Sequence, residues 1–184
     1  VFARKIPVNS VKGYQALLHF LFGDQAAELE KLYPVAKPSD LGPALNDLLG
    51  DAFVAGTRRM VRDMAAGGAP AYLYQFTRTS EAAAALGLGC FHGSEVPYVF
   101  GNLGPLGRDP RDRDLAAAMM GYWTRFAATG DPNGDAAVAW PRYETATDQH
   151  LVLDVPVAVG AHLRQEQCDV RDQLSARVTF GLDP

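Results

Sequence analysis

Apolar residues recur every three or four positions through the first third of the chain, a spacing that predicts helices. Each pattern stops at or before a residue that breaks helices, as at Gly23, Pro34 and Gly67. We read these helices as packing elements, because none of them carries a group of residues typical of a catalytic or binding site. The predicted helices occupy residues 11–22, 24–33, 39–49 and 53–66, with Asp24 capping the second and Ser39 or Asp40 the third.

The rest of the chain predicts two buried strands and two more helices. Residues 71–77 form an aromatic-rich run bounded by Pro70, and residues 150–154 form a shorter apolar run. Leu115, Met119, Tyr122 and Phe126 recur at helical spacing after a cap at Asp112 or Asp114. Residues 159–177 predict a closing helix.

Residues 89–100 interrupt these patterns and predict a loop of specific conformation. Gly89, Gly93 and Pro97 break any helical or strand period, and several small residues lie close to His92 at the centre. Imidazole is the side chain whose ordinary pKa lies nearest neutrality, which suits it to passing a proton back and forth. A structural histidine hydrogen-bonded within its loop is the plainer interpretation of the same residues.

Composition excludes several classes of function. The net charge of −4 gives no support for binding nucleic acid or an anionic membrane, and the arginines of residues 108–113 alternate with aspartates. No apolar run approaches the roughly 20 residues that cross a bilayer. Cys90 and Cys168 form no Cys-x-x-Cys pair, so we expect neither a zinc site nor a thioredoxin-like site. We also expect no cofactor and no other metal. The chain starts at Val1 without an initiating Met, so we expect a processed or truncated piece.

The loop and several other motifs resemble the type-B carboxylesterases, the cholinesterase-like branch of the α/β-hydrolases. His92-Gly-Ser-Glu95 is similar to the family's His-Gly-x-Glu loop, and Ala71-Tyr-Leu-Tyr-Gln-Phe76 to the strand before it. In all, the resemblance covers about residues 32–154. The further matches, which follow in the family's order, are Gly101-Asn-Leu103, Tyr122-Trp-Thr-Arg-Phe-Ala-Ala-Thr-Gly-Asp-Pro-Asn133, Trp140-Pro-Arg-Tyr143 and His150-Leu-Val-Leu-Asp154.

The resemblance implies that residues 1–184 are the C-terminal portion of one α/β-hydrolase domain. This portion would be mostly helical and would contribute the last strands of a larger central sheet. Its expected parts are a helical region at 1–68, a strand with the histidine loop at 69–110, and a late helix, last strand and closing helix at 111–184. In secreted relatives a late cysteine like Cys168 pairs with one that this chain lacks near residues 53–57, so we expect no such disulfide.

The resemblance also implies roles for individual residues. His92 would be the general base of a serine esterase, and Glu95 a carboxylate that fixes the loop, with a plain loop salt bridge as the alternative. Phe91 and Tyr98 would line an acyl or alcohol pocket, or else pack in the core. For Cys90 a small buried residue is favoured over a catalytic thiol.

The nucleophile that this chemistry needs is missing from the sequence. Ester hydrolysis on this fold uses Gly-x-Ser-x-Gly, and none of the five serines lies in that motif. Ser94 and Glu95 adjoin His92, but neighbouring backbone positions rarely align a nucleophile and an acid on opposite ring nitrogens. We therefore expect an upstream or partner chain to supply the serine, the triad acid and the oxyanion hole for a small-molecule ester. A non-catalytic binding or adhesion module of the same family is the alternative.

Overall fold

The computed structural model describes residues 8–180, which fall into two compact units. One unit comprises residues up to 60 together with those from 164 onward, and the other comprises residues 61–163. The helices are α1 (Val11–Phe22), α2 (Ala26–Leu32), α3 (Leu41–Ala66), α4 (Glu81–Ala85), α5 (Val96–Val99), α6 (Pro110–Thr129) and α7 (Gln165–Phe180). The strands are β1 (Tyr74–Phe76), β2 (Gln149–Leu153) and β3 (Ala158–Ala161).

The first unit is helical. The predicted α1 is confirmed: Ser10 caps its start by accepting a hydrogen bond from the Gly13 amide, and it ends at Gly23. A charged cluster around Asp51 lies beside the apolar core of this unit. The buried Asp51 carboxylate accepts hydrogen bonds from the Tyr33 hydroxyl at 2.8 Å and from Arg164 Nε at 2.8 Å. The core residues of α1, α2 and α3 include Tyr14, Leu18, Ala26, Leu29, Leu41, Leu45 and Leu48.

Two predictions for the helices of this unit are wrong. The third and fourth predicted helices are a single helix, α3, that runs through residues 50–52 without a break. Glycine inside a helix costs only about 1 kcal/mol, so Gly50 did not end it, and the Asp51 carboxylate bonds tertiary partners instead of capping a new helix. Asp24 lies in a 3₁₀ turn before α2, where no side chain caps the helix.

The second unit is built on a three-stranded sheet in the order β1-β2-β3. β1 pairs in parallel with β2, with Tyr74 opposite Leu151, and β2 pairs antiparallel with β3. The helix α6 contributes Leu115, Met119 and Tyr122 to the core of this unit. Trp140 is the centre of an aromatic cluster whose rings meet it mainly edge to face, namely Tyr72, Tyr74, Tyr122 and Trp123.

The predicted strands are present with shifted bounds, and a third strand was missed. Only residues 74–76 of the first predicted strand pair as a strand. β3 is short and largely exposed, so its apolar residues show no burial pattern in the sequence. The closing helix begins at Gln165 rather than at residue 159, because His162 and Arg164 have positive φ angles that a right-handed helix excludes.

The start of α6 also differs from the prediction. Asp109 is its cap and accepts a hydrogen bond from the Arg111 amide, with Pro110 in the first turn. Asp112 lies inside the helix and is fully buried. A buried carboxylate requires partners of opposite charge, and those partners lie at the functional site.

Candidate active site

The loop that carries His92 leaves the carboxyl end of β1. The chain passes through the short helix α4, reaches the tip at residues 89–94, and returns through α5. Gly93 adopts a φ of 87°, a conformation that side chains with a Cβ rarely take. His92 is exposed at this tip, directly before Gly93. The predicted loop is therefore present over its first half, with its imidazole near the surface. The prediction is wrong for residues 96–99, which form the helix α5, because Pro97 lies in the first turn, where a proline is tolerated.

Hydrogen bonds within the tip fix its turn. The Ser94 amide donates to the Phe91 carbonyl at 2.9 Å, and the Phe91 amide donates to Ser94 Oγ at 3.3 Å. The Val96 amide donates to the Gly93 carbonyl at 3.2 Å and so leads the chain into α5. Ser94 therefore stabilises the turn that presents His92, and its hydroxyl is engaged in that turn.

Cys90 connects the tip to the sheet. Its thiol donates to the Phe76 carbonyl at 3.0 Å and lies 3.5 Å from Ser94 Oγ. The prediction of a buried residue here is wrong, because Cys90 is exposed, although its sulfur faces the end of β1. Desolvation of the sulfur, offset in part by Ser94, raises the pKa of the Cys90 thiol. A raised pKa makes the thiol a poor nucleophile at neutral pH and so gives no support to a catalytic cysteine.

We expect Cys90 to alkylate slowly at neutral pH and faster as pH rises past the ordinary thiol range, since only the thiolate reacts. Cys168 is buried, and burial raises its pKa, so it should react only after unfolding. Timed iodoacetamide labelling with peptide mass spectrometry distinguishes the two residues. Under denaturing, non-reducing conditions both should be labelled, and an unlabelled pair would contradict the free thiols of the structure.

Glu95 occupies the cap position of α5, half-buried. Its backbone carbonyl accepts hydrogen bonds from the Tyr98 and Val99 amides. Burial raises the pKa of Tyr74, and the negative charge of Glu95 raises it further. The same charge also contributes to the raised pKa of Cys90. The carboxylate of Glu95 therefore lies within electrostatic range of both β1 and the loop.

A buried ion pair lies behind the loop. Arg78 Nε donates to Asp112 Oδ1 at 2.7 Å, and its Nη2 donates to Asp112 Oδ2 at 3.3 Å and to Asp109 Oδ2 at 3.2 Å. The Tyr98 hydroxyl donates to Asp112 Oδ1 at 2.8 Å. Burial, followed by the hydrogen bond to Asp112, raises the pKa of Tyr98 well above its ordinary value, so the hydroxyl stays protonated.

The structure separates the two predicted pocket residues. Phe91 is 45% exposed at the tip, whereas Tyr98 is buried and its ring contacts Phe76, with 5.1 Å between ring centroids. Tyr98 therefore packs in the core, which was one of the two interpretations of its sequence position. Other exposed apolar side chains occur in and around the loop, namely Leu86, Leu88, Val96 and Phe100.

Sequence reasoning missed the part that Arg78 and Asp112 play. Asp112 was read as a helix cap, and Arg78 had no assigned role. A pair of residues 34 positions apart leaves no periodic pattern in the sequence. The arginines of residues 108–113, which are much nearer to Asp112, also hid Arg78 as its partner. The usable signal was that Asp112 shares the core-facing side of α6 with Leu115 and Met119, where a carboxylate must be paired.

The described serines perform local structural tasks. Ser10 and Ser80 cap helices, and Ser39 donates to Asp40 at 3.4 Å. Ser94 lies in the turn described above. Residues 8–180 contain no cluster of three or more His, Cys, Asp or Glu side chains arranged to hold a metal ion. Within the same range, every helix is too short or too polar to cross a membrane.

Comparison with known proteins identifies the family. The profile of the Carboxylesterase family matches residues 20–171. Fumonisin B1 esterase of Sphingopyxis macrogoltabida is 34% identical over 154 residues, which cover 78% of this chain and 28% of that protein. Carboxylesterase 5A of Canis lupus familiaris is 34% identical over 151 residues, which cover 74% of this chain and 26% of that protein. Carboxylesterase 4A of Bos taurus is 35% identical over 125 residues, which cover 66% of this chain and 22% of that protein.

The chain belongs to the carboxylesterase family, and the family predicted from the sequence motifs is confirmed. Membership implies an α/β-hydrolase fold, with which the small mixed sheet and surrounding helices agree. The chain spans only about a quarter of the length of the curated relatives it matches.

Proposed function

We propose that this chain is the C-terminal portion of a serine carboxylesterase, with His92 as its general base. The observation that carries the proposal is the exposed His92 on a loop leaving the carboxyl end of β1, in a chain of the carboxylesterase family. Ligands of α/β proteins bind outside the carboxyl ends of parallel strands, which supports a catalytic use of this loop. The substrate is a small carboxylic ester, and no cofactor takes part.

In the proposed reaction His92 takes the hydroxyl proton of a serine as the serine oxygen attacks the ester carbonyl. The imidazolium then gives that proton to the departing alkoxide, which leaves as an alcohol and an acyl-enzyme remains. Water repeats the sequence: His92 takes its proton as the water oxygen attacks the acyl carbon. The bond between the acyl carbon and the serine oxygen then breaks, the proton returns to the serine, and the carboxylic acid leaves. Glu95 helps to hold the loop in the shape that this transfer requires.

The serine, the triad acid and the oxyanion hole come from an upstream segment or partner chain. The full sequence lacks Gly-x-Ser-x-Gly, and Ser94 is already hydrogen-bonded within its own turn, which supports this division of labour. Residues 1–68, 69–110 and 111–184 are then successive parts of one α/β-hydrolase domain. We call this chain together with that upstream part the complete esterase polypeptide.

The sheet and the exposed apolar side chains support the need for the upstream part. Within residues 8–180, β1 is an edge strand of the three-stranded sheet, and an edge strand presents backbone groups with which a further strand can pair. Phe100 is 76% exposed and Leu86 is 76% exposed, beside the loop that would face the substrate. Strands added beyond β1 would extend the sheet, and the apolar side chains would be covered.

Expressing the chain alone and together with its upstream segment tests the proposal. Alone, the chain should hydrolyse no short-chain aryl ester and should bind a hydrophobic dye. Together, the two parts should copurify and hydrolyse the ester. If the two parts copurify but hydrolyse no ester, and the upstream segment has no serine in its Gly-x-Ser-x-Gly position, the non-catalytic binding module is favoured instead. A cooperatively unfolding, active monomer of the 184 residues alone would contradict the division of labour.

A further inference from the structure

Tyr98 links the histidine loop to the buried ion pair behind it. It follows His92 by six residues and lies on α5, the short helix that receives the chain from the tip. A helix of four residues has little stability of its own. Its position therefore depends on tertiary contacts, and the buried Tyr98 side chain makes two of them: a hydrogen bond to Asp112 and a ring contact with Phe76.

Both partners of Tyr98 lie in regular secondary structure. Phe76 is the last residue of β1, and Asp112 is fully buried in the first turns of the 20-residue helix α6. Arg78 holds the Asp112 carboxylate with two hydrogen bonds, a fork geometry that fixes its orientation as well as its charge. Since Oδ1 accepts from both Arg78 and Tyr98, the phenol direction follows from the ion pair.

We propose that Tyr98, oriented by the Arg78–Asp112 ion pair, is a positioning residue that sets the place of His92 for proton transfer. The inference rests on the proposed role of His92 as general base. The tip hydrogen bonds between residues 91 and 96 connect the imidazole to α5, and Tyr98 connects α5 to the strand and to α6. A shift of α5 would move the imidazole with it.

The matched control is Tyr143. It too is a buried tyrosine whose hydroxyl donates to a buried aspartate, Asp148, at 2.9 Å. Asp148 comes just before β2, whereas Asp112 partners Arg78, which comes just after β1. Because β1 and β2 are parallel, Tyr143 lies at the end of the sheet opposite to the histidine loop.

The test measures kcat and KM of Tyr98→Phe and Tyr143→Phe in the complete esterase polypeptide, with a short-chain aryl ester and equal amounts of folded protein. Tyr98→Phe should lower kcat by roughly 10- to 100-fold, the effect of a misplacement of about 1 Å, and should change KM little. Tyr143→Phe should keep kcat. Arg78→Lys retains the charge but loses the fork, so it should also lower kcat at unchanged KM.

The double variant His92→Gln/Tyr98→Phe shows whether Tyr98 acts through His92. If it does, Tyr98→Phe should not lower the residual rate of His92→Gln further. Two outcomes would overturn the positioning role but not the role of His92 as base. One is that Tyr98→Phe lowers the rate equally in the wild-type and the His92→Gln proteins. The other is that Tyr98→Phe and Tyr143→Phe have equal kcat while His92→Gln is inactive. Full activity of His92→Gln would overturn the proposed function and this inference with it.

Discussion

Replacing His92 by Gln in the complete esterase polypeptide should lower kcat for a short-chain aryl ester by at least ~10³-fold. Glutamine fills a similar volume and retains hydrogen-bonding groups, but it cannot take a proton from the serine at neutral pH. The side chain is exposed at the loop tip, so the stability of the fold should change little. Steady-state kinetics and thermal unfolding of the same preparation check the two expectations together.

His162 provides the matched control for this substitution. It is also an exposed histidine of the same unit, and its Nδ1 lies 3.6 Å from Asp148 Oδ2. His162→Gln removes an equivalent imidazole beside β3, away from the loop that leaves β1, and should leave kcat unchanged. Near wild-type turnover of His92→Gln would contradict the assignment of His92 as the general base. Equal losses in both variants would point to a general sensitivity to losing an exposed histidine.

The sequence was most informative where local chemistry decides the structure. Gly23 ends α1 as predicted, and Gly93 lies in the predicted loop, where it has a positive φ. Both outcomes depend on the backbone freedom of single residues. The exposed loop itself could be recognised from the order of small and turn-forming residues, without any knowledge of what packs around it.

Tertiary partners decided the features that the sequence did not reveal. Asp112 is one of two predicted caps of α6, yet it lies inside that helix and binds Arg78, which is distant in sequence. Asp51 likewise lies inside α3 and binds the distant Arg164. A cap and a buried ion pair use the same residue type, and only the position of the arginine distinguishes them. The short strand β3 was missed for a related reason, because its exposed alanines carry no periodic signal.

Asp112 should contribute strongly to the stability of the unit that holds the loop. Its carboxylate is fully buried and takes hydrogen bonds from Arg78 and Tyr98 on two oxygens. In Asp112→Asn an NH2 group, which can only donate, replaces one of those accepting oxygens. At least one donor of Arg78 or Tyr98 then loses its acceptor. The Arg78 charge is then left in the interior without a counter-charge from residue 112. Asp109 Oδ2 still accepts from Arg78 Nη2 at 3.2 Å, so the loss should stay below the about 3–5 kcal/mol that leaving a buried charge without any partner costs.

We therefore expect Asp112→Asn to shift the unfolding midpoint in urea strongly downward. Trp123 and Trp140 lie in the aromatic core beside α6, so tryptophan fluorescence reports this unit. Asp135→Asn is the control, because Asp135 also pairs with an arginine, Arg125, at 3.1 Å, but its side chain is 93% exposed. Water and salt screen such a pair, so its loss should leave the midpoint unchanged. If the two variants unfold at the same urea concentration, burial does not make the Arg78–Asp112 pair contribute more to stability than an exposed pair does.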